Sequence, residues 1–456
     1  MSRSRLLHPT RRSLLGGLCG SALLGGLGLR RAGALANALT NDADRYFVFC
    51  YFGGGWDALL GLDPRDPDVF RPELRGDTLI ERNYDALIED GIADQPLSSS
   101  VPGMNFGPYI GSLIDWAPQM ALVRGMSMDT LSHSAGRRRF ITGKQPAGLQ
   151  ARGSAGATHL AAWLGENEPV PNLVSGVESY NVDQPVYASG LEVADVDDLL
   201  DILAPGRRAL PPEVMARIGV VLDEFGDCET TKASRMLTEA LEQRLAARRL
   251  VDAGLDALFD FRSNDPDMVA LRQQYGFASN QLNTPRARAA MASTALTAGI
   301  SRTVSIQVAG QLDTHDNWAR DHGPILREGF DVVSTLAADL ASRPYGDQGE
   351  SWLDRTVIVG FSEFTRTPLM NVRGGRDHAL MNSCFLIGGG VQGGRIIGAS
   401  SDVGMAPQSV NLQTGAVDPA GEIIRPEHIY RALLGHVGVT DDVADLRVDP
   451  LTALFS

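Results

Sequence analysis

NTPRARAAMASTALTAGIS, residues 283–301, runs directly into RTVSIQV, residues 302–308. Thr284 is placed to cap a helix, Pro285 to sit in its first turn and Gly299 to end it. The run that follows is rich in β-branched residues and stops at polar ones, which predicts a buried strand. A helix that feeds a buried strand is the unit from which parallel sheets are built, because the crossover must travel back along the sheet.

Three further runs read the same way: RYFVFCYF at 45–52, MALVRG at 120–125 and RTVIVGF at 355–361. A second helical pattern, from Ile325 to Leu340, precedes the last of them and places Leu326, Phe330, Val333 and Leu340 close to one face. The expected fold class is α/β, a mostly parallel central sheet flanked by helices. Leu237, Leu241, Leu245, Leu255, Leu258 and Phe259 mark charged amphipathic helices, so residues about 195–280 read as a helical insertion. The stretch 61–118, full of Pro, Asp and Gly, reads as a long decorated loop.

The chain has 456 residues, enough for a sizeable core, and 37–456 is taken as one domain. Its net charge of −14 argues against a nucleic-acid partner or an anionic lipid surface. Handling an anionic substrate would then require local cations or metals. Residues 1–36 read as a twin-arginine signal peptide: Arg11 and Arg12, a weakly apolar Gly-rich run, Arg30 and Arg31, then Ala34-Leu35-Ala36 as a small-x-small cleavage pattern. The run is shorter than the roughly 20 residues of a spanning helix, and no later segment is apolar enough to span. The expected location is periplasmic or secreted, reached through the twin-arginine export machinery. Cys50, Cys228 and Cys384 remain, an odd number without a CxxC pair, so their pairing stays open and a thiolate zinc site is not expected.

Each proposed strand runs into unusual polar residues. The first leads to GGGWD with Asp57, the second to SMDTLSHS with Thr130, Ser132, His133 and Ser134. The third leads to AGQLDTHDNW with Asp313 and His315, the fourth to Glu363 and Arg366 and then to GGRDHA with Asp377 and His378. In an open parallel sheet, loops at the carboxyl ends of the strands meet in one crevice. Mixed Asp, Glu and His side chains there suit a divalent metal such as zinc, manganese or calcium, and two ions would clamp a phosphoryl-type transfer. Adjacent Asp377 and His378 would diverge toward different ions. Taken singly, each group also reads as ordinary loop polarity. His159 is expected to pack in a helix and His322 to lie on the surface, while His428 and His436 belong to a terminal helix from which either could reach the crevice. GGGVQGGRIIG, 388–398, matches GxGxxG, but strand-like residues follow it where a nicotinamide site needs a helix.

Together FGGGWDAL, VRGM followed by SHS, DTHDNW, FSEFTRTP, GGRDHA, GGGVQGGRIIGAS and the closing HIYRALLGHVGV resemble, in order, the bacterial exported family catalogued as domain of unknown function 1501. That family is placed in the alkaline phosphatase-like superfamily. The resemblance implies a phosphatase- or sulfatase-like sheet, with Asp57, Asp377 and His378 where the superfamily's metal ligands lie and His133 and His315 as further candidates. None of Cys50, Cys228 and Cys384 sits in the CxPxR-like motif of arylsulfatases, so a formylglycine route is not expected. Ser134, Ser132 and Thr130 are the hydroxyl candidates for a nucleophile, with a metal-bound hydroxide equally open. Arg137 and Arg366 are candidates for gripping an anionic group. The expected function is an exported metal-dependent hydrolase of phosphate or sulfate esters, small-molecule or polymeric, with Asp57, His133, Asp313, His315, Glu363, Asp377 and His378 around two divalent ions. The competing expectation is a noncatalytic envelope or surface-assembly protein that keeps the fold.

Overall fold

A computed structural model describes residues 44–455 except 90, 93, 149, 205–210, 235–236, 239–240 and 242–253. The signal-peptide reading of 1–36 and Leu245 of the insertion lie outside the described residues.

Eight strands form the central sheet: β1 Tyr46–Phe52, β2 Met120–Ser127, β3 Asn172–Ser175, β4 Leu191–Val193, β5 Thr303–Ala309, β6 Thr356–Ser362, β7 Met381–Gly388 and β8 Arg395–Ile397. Their spatial order is β8-β2-β7-β6-β1-β5-β3-β4. All neighbours pair in parallel except β7, which runs antiparallel to β2 and β6. The chain is therefore an α/β protein with a mostly parallel sheet, and the four runs picked out from the sequence are β1, β2, β5 and β6.

These strands form because both of their faces are covered. Along β1, Val48, Cys50 and Phe52 enter one apolar cluster, and Phe47, Phe49 and Tyr51 enter the other. The first cluster is closed by helices α3 Pro285–Thr297 and α4 Trp318–Ser342, through Ala292, Leu296, Leu326, Phe330 and Val333. The second is closed by α1 His133–Thr142, α2 Gly156–Leu164 and α5 Pro426–His436, through Phe140, Leu160, Ile429 and Leu433. Fully burying one such Phe, Val or Leu contributes about 1.5–3 kcal/mol, so period-two alternation in β1 fixes its register in the sheet. Thr284 caps α3, its side chain accepting from the Ala287 amide.

Three details differ from expectation. Helix α4 begins at Trp318, not near Ile325, and carries Pro324 inside it. Trp318 and His322 are buried in its first turns, so packing holds the helix through the proline. The 61–118 stretch is anchored, with Phe106, Tyr109, Ile110 and Leu113 inside the first cluster. Between 195 and 280 the described helices include Val196–Leu203, Pro212–Asp227, Glu229–Ala233 and Pro266–Tyr275, with a 3-10 turn at Leu255–Leu258. Among the described residues no helix is long and apolar enough to cross a membrane. Cys50, Cys228 and Cys384 are all free thiols.

Candidate metal centre

Parallel strands deliver their following loops to one rim, and the antiparallel β7 delivers its preceding loop to the same rim. Asp57, Asp313 and Glu363 thus follow β1, β5 and β6, His133 opens α1 after β2, and Asp377-His378 lead into β7. Two close backbone approaches lock these loops together. A side chain at Gly136 would stand 2.5 Å from the Glu363 carbonyl oxygen, and one at Gly375 would stand 2.1 Å from the carbonyl carbon of His315. Only glycine lets α1 sit on the Glu363 backbone and the 374–377 loop lie on the 313–316 loop.

Three imidazoles converge on one carboxylate oxygen. Nε2 of His133, His315 and His378 lie 3.2, 3.1 and 3.2 Å from Asp313 Oδ1. His315 Nε2 and His378 Nε2 are 3.0 Å apart. Each ring is held from behind. His133 Nδ1 donates to Glu363 Oε1 at 2.8 Å, His315 Nδ1 to Asp377 Oδ1 at 2.6 Å, and His378 Nδ1 to the Leu131 carbonyl at 2.6 Å. Those partners only accept, so an Nδ1 proton on each neutral ring satisfies them and leaves the Nε2 lone pairs facing inward; Asp313 is likewise only an acceptor, and His378 Nε2 lies at hydrogen-bond distance from its Oδ1, 3.2 Å. His133 Nε2 is buried, and although Asp313 is within ion-pair distance no hydrogen bond aligns with it.

The supports are themselves supported. Glu363, which is 1% exposed, also accepts from Tyr51 Oη at 3.0 Å, the Gly54 amide at 2.9 Å and Ser362 Oγ at 3.1 Å. Burial opposes its ionisation, but the bonds from His133 and the backbone hold its pKa below the usual range. Asn371 Nδ2 donates to Asp377 at 3.0 Å, and the contact with His315 keeps that carboxyl below its ordinary value. Asp313 is held at about 2: partial burial raises it, and Arg366, His378 and His133 outweigh that. Burial lowers the pKa of His378, which favours the neutral ring a metal needs. Tyr51 and Asn371 went unnoticed in the sequence. Tyr51 had one available signal, its place on the β1 face opposite Cys50, one residue before the rim.

The predicted residues therefore divide. His133, Asp313, His315 and His378 come together, while Glu363 and Asp377 stand behind them and orient rings. Asp57, expected as a ligand, is turned away. Its Oδ1 accepts from the Leu59 amide at 2.9 Å and its Oδ2 from Trp318 Nε1 at 2.7 Å, with Arg376 Nε 3.2 Å from Oδ2. Both charges are nearly fully buried, and Arg376 lies over the Trp318 ring at 4.6 Å. Arg366, expected to grip substrate, is enclosed: Nη2 meets Asp313 at 2.6 Å and Nε the Gly55 carbonyl at 3.0 Å. Arg137 does line the adjoining cleft, already paired with Glu178. Of the hydroxyls, Thr130 Oγ1 accepts from the Ser132 amide and Ser132 Oγ faces Ser134 Oγ at 3.4 Å; none bonds to the three imidazoles. Residues 222–415 match the model of the family described as Protein of unknown function (DUF1501). The DUF1501 match takes in β5, β6 and β7 with Asp313, His315, Glu363, Asp377 and His378, and it leaves β1, β2 and His133 outside. No curated protein matches the chain.

His322 is not on the surface. It is fully buried, with Nε2 accepting from the Asp57 amide at 2.9 Å and Nδ1 bonded to Thr314 Oγ1 at 2.7 Å. His428 is buried beside Arg425, and His436 bonds the Gly389 carbonyl at the opposite rim, so neither reaches the site. Burial pushes His322 down to about 3. An unfolded histidine titrates near 6.5, so between about 3 and 6.5 the unfolded chain binds the extra proton. This residue should make stability fall on acidification through that window, by on the order of 1.4 kcal/mol per pH unit, and leave it flat above. Denaturant unfolding of wild type and His322→Gln at pH 5 and pH 7.5 checks this: the gap between them should be smaller at pH 5.

The residues present fit a divalent ion. Four of the six pairwise separations among His133, Asp313, His315 and His378 are 3.0–3.2 Å, close to the about 3.3 Å between donor atoms around tetrahedral zinc with bonds of about 2.0–2.1 Å. Inward lone pairs facing a carboxylate repel one another unless a cation or a ring proton lies among them. A histidine whose outer nitrogen is fixed by a carboxylate or carbonyl is the usual metal-ligand arrangement. Among the described residues, donor atoms of His133, Asp313 and His378 all lie within 4.8 Å of one another, and His315 stands beside that group, in contact with Asp313 and His378.

Proposed function

We propose that the chain is an exported metal-dependent hydrolase of phosphate or sulfate esters, a DUF1501 protein of the alkaline phosphatase-like superfamily. The observation that carries this reading is the convergence of three anchored imidazoles on Asp313 at the edge of an open cleft of about 700 Å³. His133, His315, His378 and Asp313 would hold one divalent ion, with zinc the best match to three nitrogens and one oxygen. Asp57 is engaged by Arg376 and Trp318, and Asp377 by His315, so the reading needs one ion where the sequence suggested two. When bound, such an ion acts as a Lewis acid toward a phosphoryl or sulfuryl oxygen.

The chain's own groups do the rest. Glu363 and Asp377 hold the proton on Nδ1 of His133 and His315. Arg366 fixes Asp313, and the cleft admits the ester beside His133. Water arriving through the cleft is the nucleophile this reading uses, because none of Ser132, Ser134 and Thr130 bonds to the three imidazoles. That same arrangement is what favours the second reading, a noncatalytic envelope or assembly protein. The N-terminal Arg11-Arg12 segment supports export by the twin-arginine route to the periplasm or beyond; cell fractionation that leaves an Arg11→Lys/Arg12→Lys variant exported would argue against it.

Zinc- or manganese-loaded protein should turn over at least one member of a panel of phosphomonoesters, phosphodiesters and sulfate esters. The activity should be lost with chelator and in His378→Ala. A metal-replete chain inert toward the whole panel supports the noncatalytic reading.

A further inference from the structure

The cleft continues past the histidines toward the ends of β3, β4 and β5, and its floor there contains Gln307. Gln307 sits late in β5, a strand otherwise almost completely buried. Three glycines make room for its side chain. A Cβ at Gly53 would stand 2.6 Å from Nε2, one at Gly310 3.0 Å from Nε2, and one at Gly176 2.9 Å from the Gln307 Cβ and 3.3 Å from Oε1. The side chain is thus confined in a cradle that larger residues would fill. Among the described residues its carboxamide makes no hydrogen bond, so both its donor and its acceptor are open to what enters the cleft.

The charged groups around it narrow what it reads. Glu178, Glu192, Asp313 and Glu363 line the same cleft with the guanidinium of Arg137, and the guanidinium of Arg288 lies beside its floor, its Cζ 3.4 Å from where a Cβ on Gly176 would stand and its Nη2 3.3 Å from the Ala194 carbonyl. Arg137 is bound to Glu178, and Glu363 and Asp313 belong to the histidine cluster. Glu192 accepts from the Ser179 amide at 2.8 Å through Oε1 and has its other oxygen free among the described residues. The uncommitted groups here include the neutral amides of Gln307 and Gln311, which both donate and accept, and one carboxylate oxygen of Glu192, which accepts. An apolar group placed here would leave the Gln307 amide and the carboxylate oxygen without partners. Hydroxyls satisfy both, since each can donate to Glu192 and exchange hydrogen bonds with the amide.

We propose that the alcohol portion of the substrate is a neutral polyhydroxyl, sugar-like group, and that Gln307, with Glu192, is the residue pair that recognises it. This rests on the hydrolase reading but adds a separate binding claim. Phosphate or sulfate would lie toward the histidines, and the hydroxylated part would extend over the Gly53–Gly176 floor.

The test compares glucose 6-phosphate and glucose 6-sulfate with phenyl phosphate and phenyl sulfate in wild type, Gln307→Leu and Gly310→Ala. The expected result is a higher kcat/KM for the sugar ester, and a fall in both variants about tenfold larger for the sugar ester than for the phenyl ester, mostly in KM. Zinc content equal to wild type serves as the control for folding. Equal losses on both esters, or a preference for the phenyl ester, overturn the proposal. Where no ester is turned over and the hydrolase reading fails, saturation-transfer NMR with methyl α-D-glucoside decides. Binding that is lost in Gln307→Leu supports the recognition claim, and absence of binding to wild type overturns it.

Discussion

His315→Ala should lower zinc affinity by more than about 100-fold, and His133→Ala and His378→Ala should do the same. Removing a residue that only orients a ligand typically costs 10–100-fold, so a ligand itself must exceed that range. Glu363→Gln and Asp377→Asn should fall within it. Glu363 accepts from His133 Nδ1 and Asp377 from His315 Nδ1, and an amide in either place keeps the shape but weakens the charge that holds the ring proton. Competition with a chromophoric chelator at fixed pH separates the two groups. Affinity should also drop as pH falls, because protons compete for the same Nε2 atoms. Equal effects for all five variants would mean that ligands and supports have been confused.

Asp57→Asn should have a different signature. The carboxylate it removes is 2% exposed, accepts from Trp318 Nε1 and faces a guanidinium that is fully buried. Breaking a buried ion pair from one side costs about 3–5 kcal/mol, because the partner charge is left uncompensated. Arg376 also donates to the carbonyls of Thr367, Glu81 and Arg82, so it cannot leave the interior to find water. Stability by denaturant unfolding should therefore fall by about 3–5 kcal/mol, while zinc affinity changes by less than tenfold. Were Asp57 a metal ligand, the two effects would be exchanged.

Most of the fold was legible, and for a simple reason. Strands buried on both faces, such as Tyr46–Phe52 and Thr356–Ser362, must be apolar at nearly every position, and that pattern is local. The rim was legible too, since polar residues directly after such runs have only one place to go. Which way each side chain turns there was not. Asp57 and Asp313 both follow a strand through a glycine-containing turn, but one carboxylate meets Arg376 and Trp318 and the other three imidazoles. That choice is made by residues 261 to 319 positions away in the first case, and by three separate loops in the second.

His322 shows the same limit. Arg320 and Asp321 stand directly before it, which reads as solvent exposure. The residue is buried because the first turns of α4 dock beneath the 57–60 loop, a contact no local pattern encodes. The antiparallel course of β7 was also hidden, yet it is what carries His378 to the same rim as Asp313.

The most direct test of the account is a titration of chelator-stripped protein with zinc, followed by calorimetry, in wild type and in His133→Ala/His315→Ala/His378→Ala. The wild type should take up one ion per chain saturably, and the triple variant none. No saturable binding by the wild type, or unchanged binding by the variant, would contradict it.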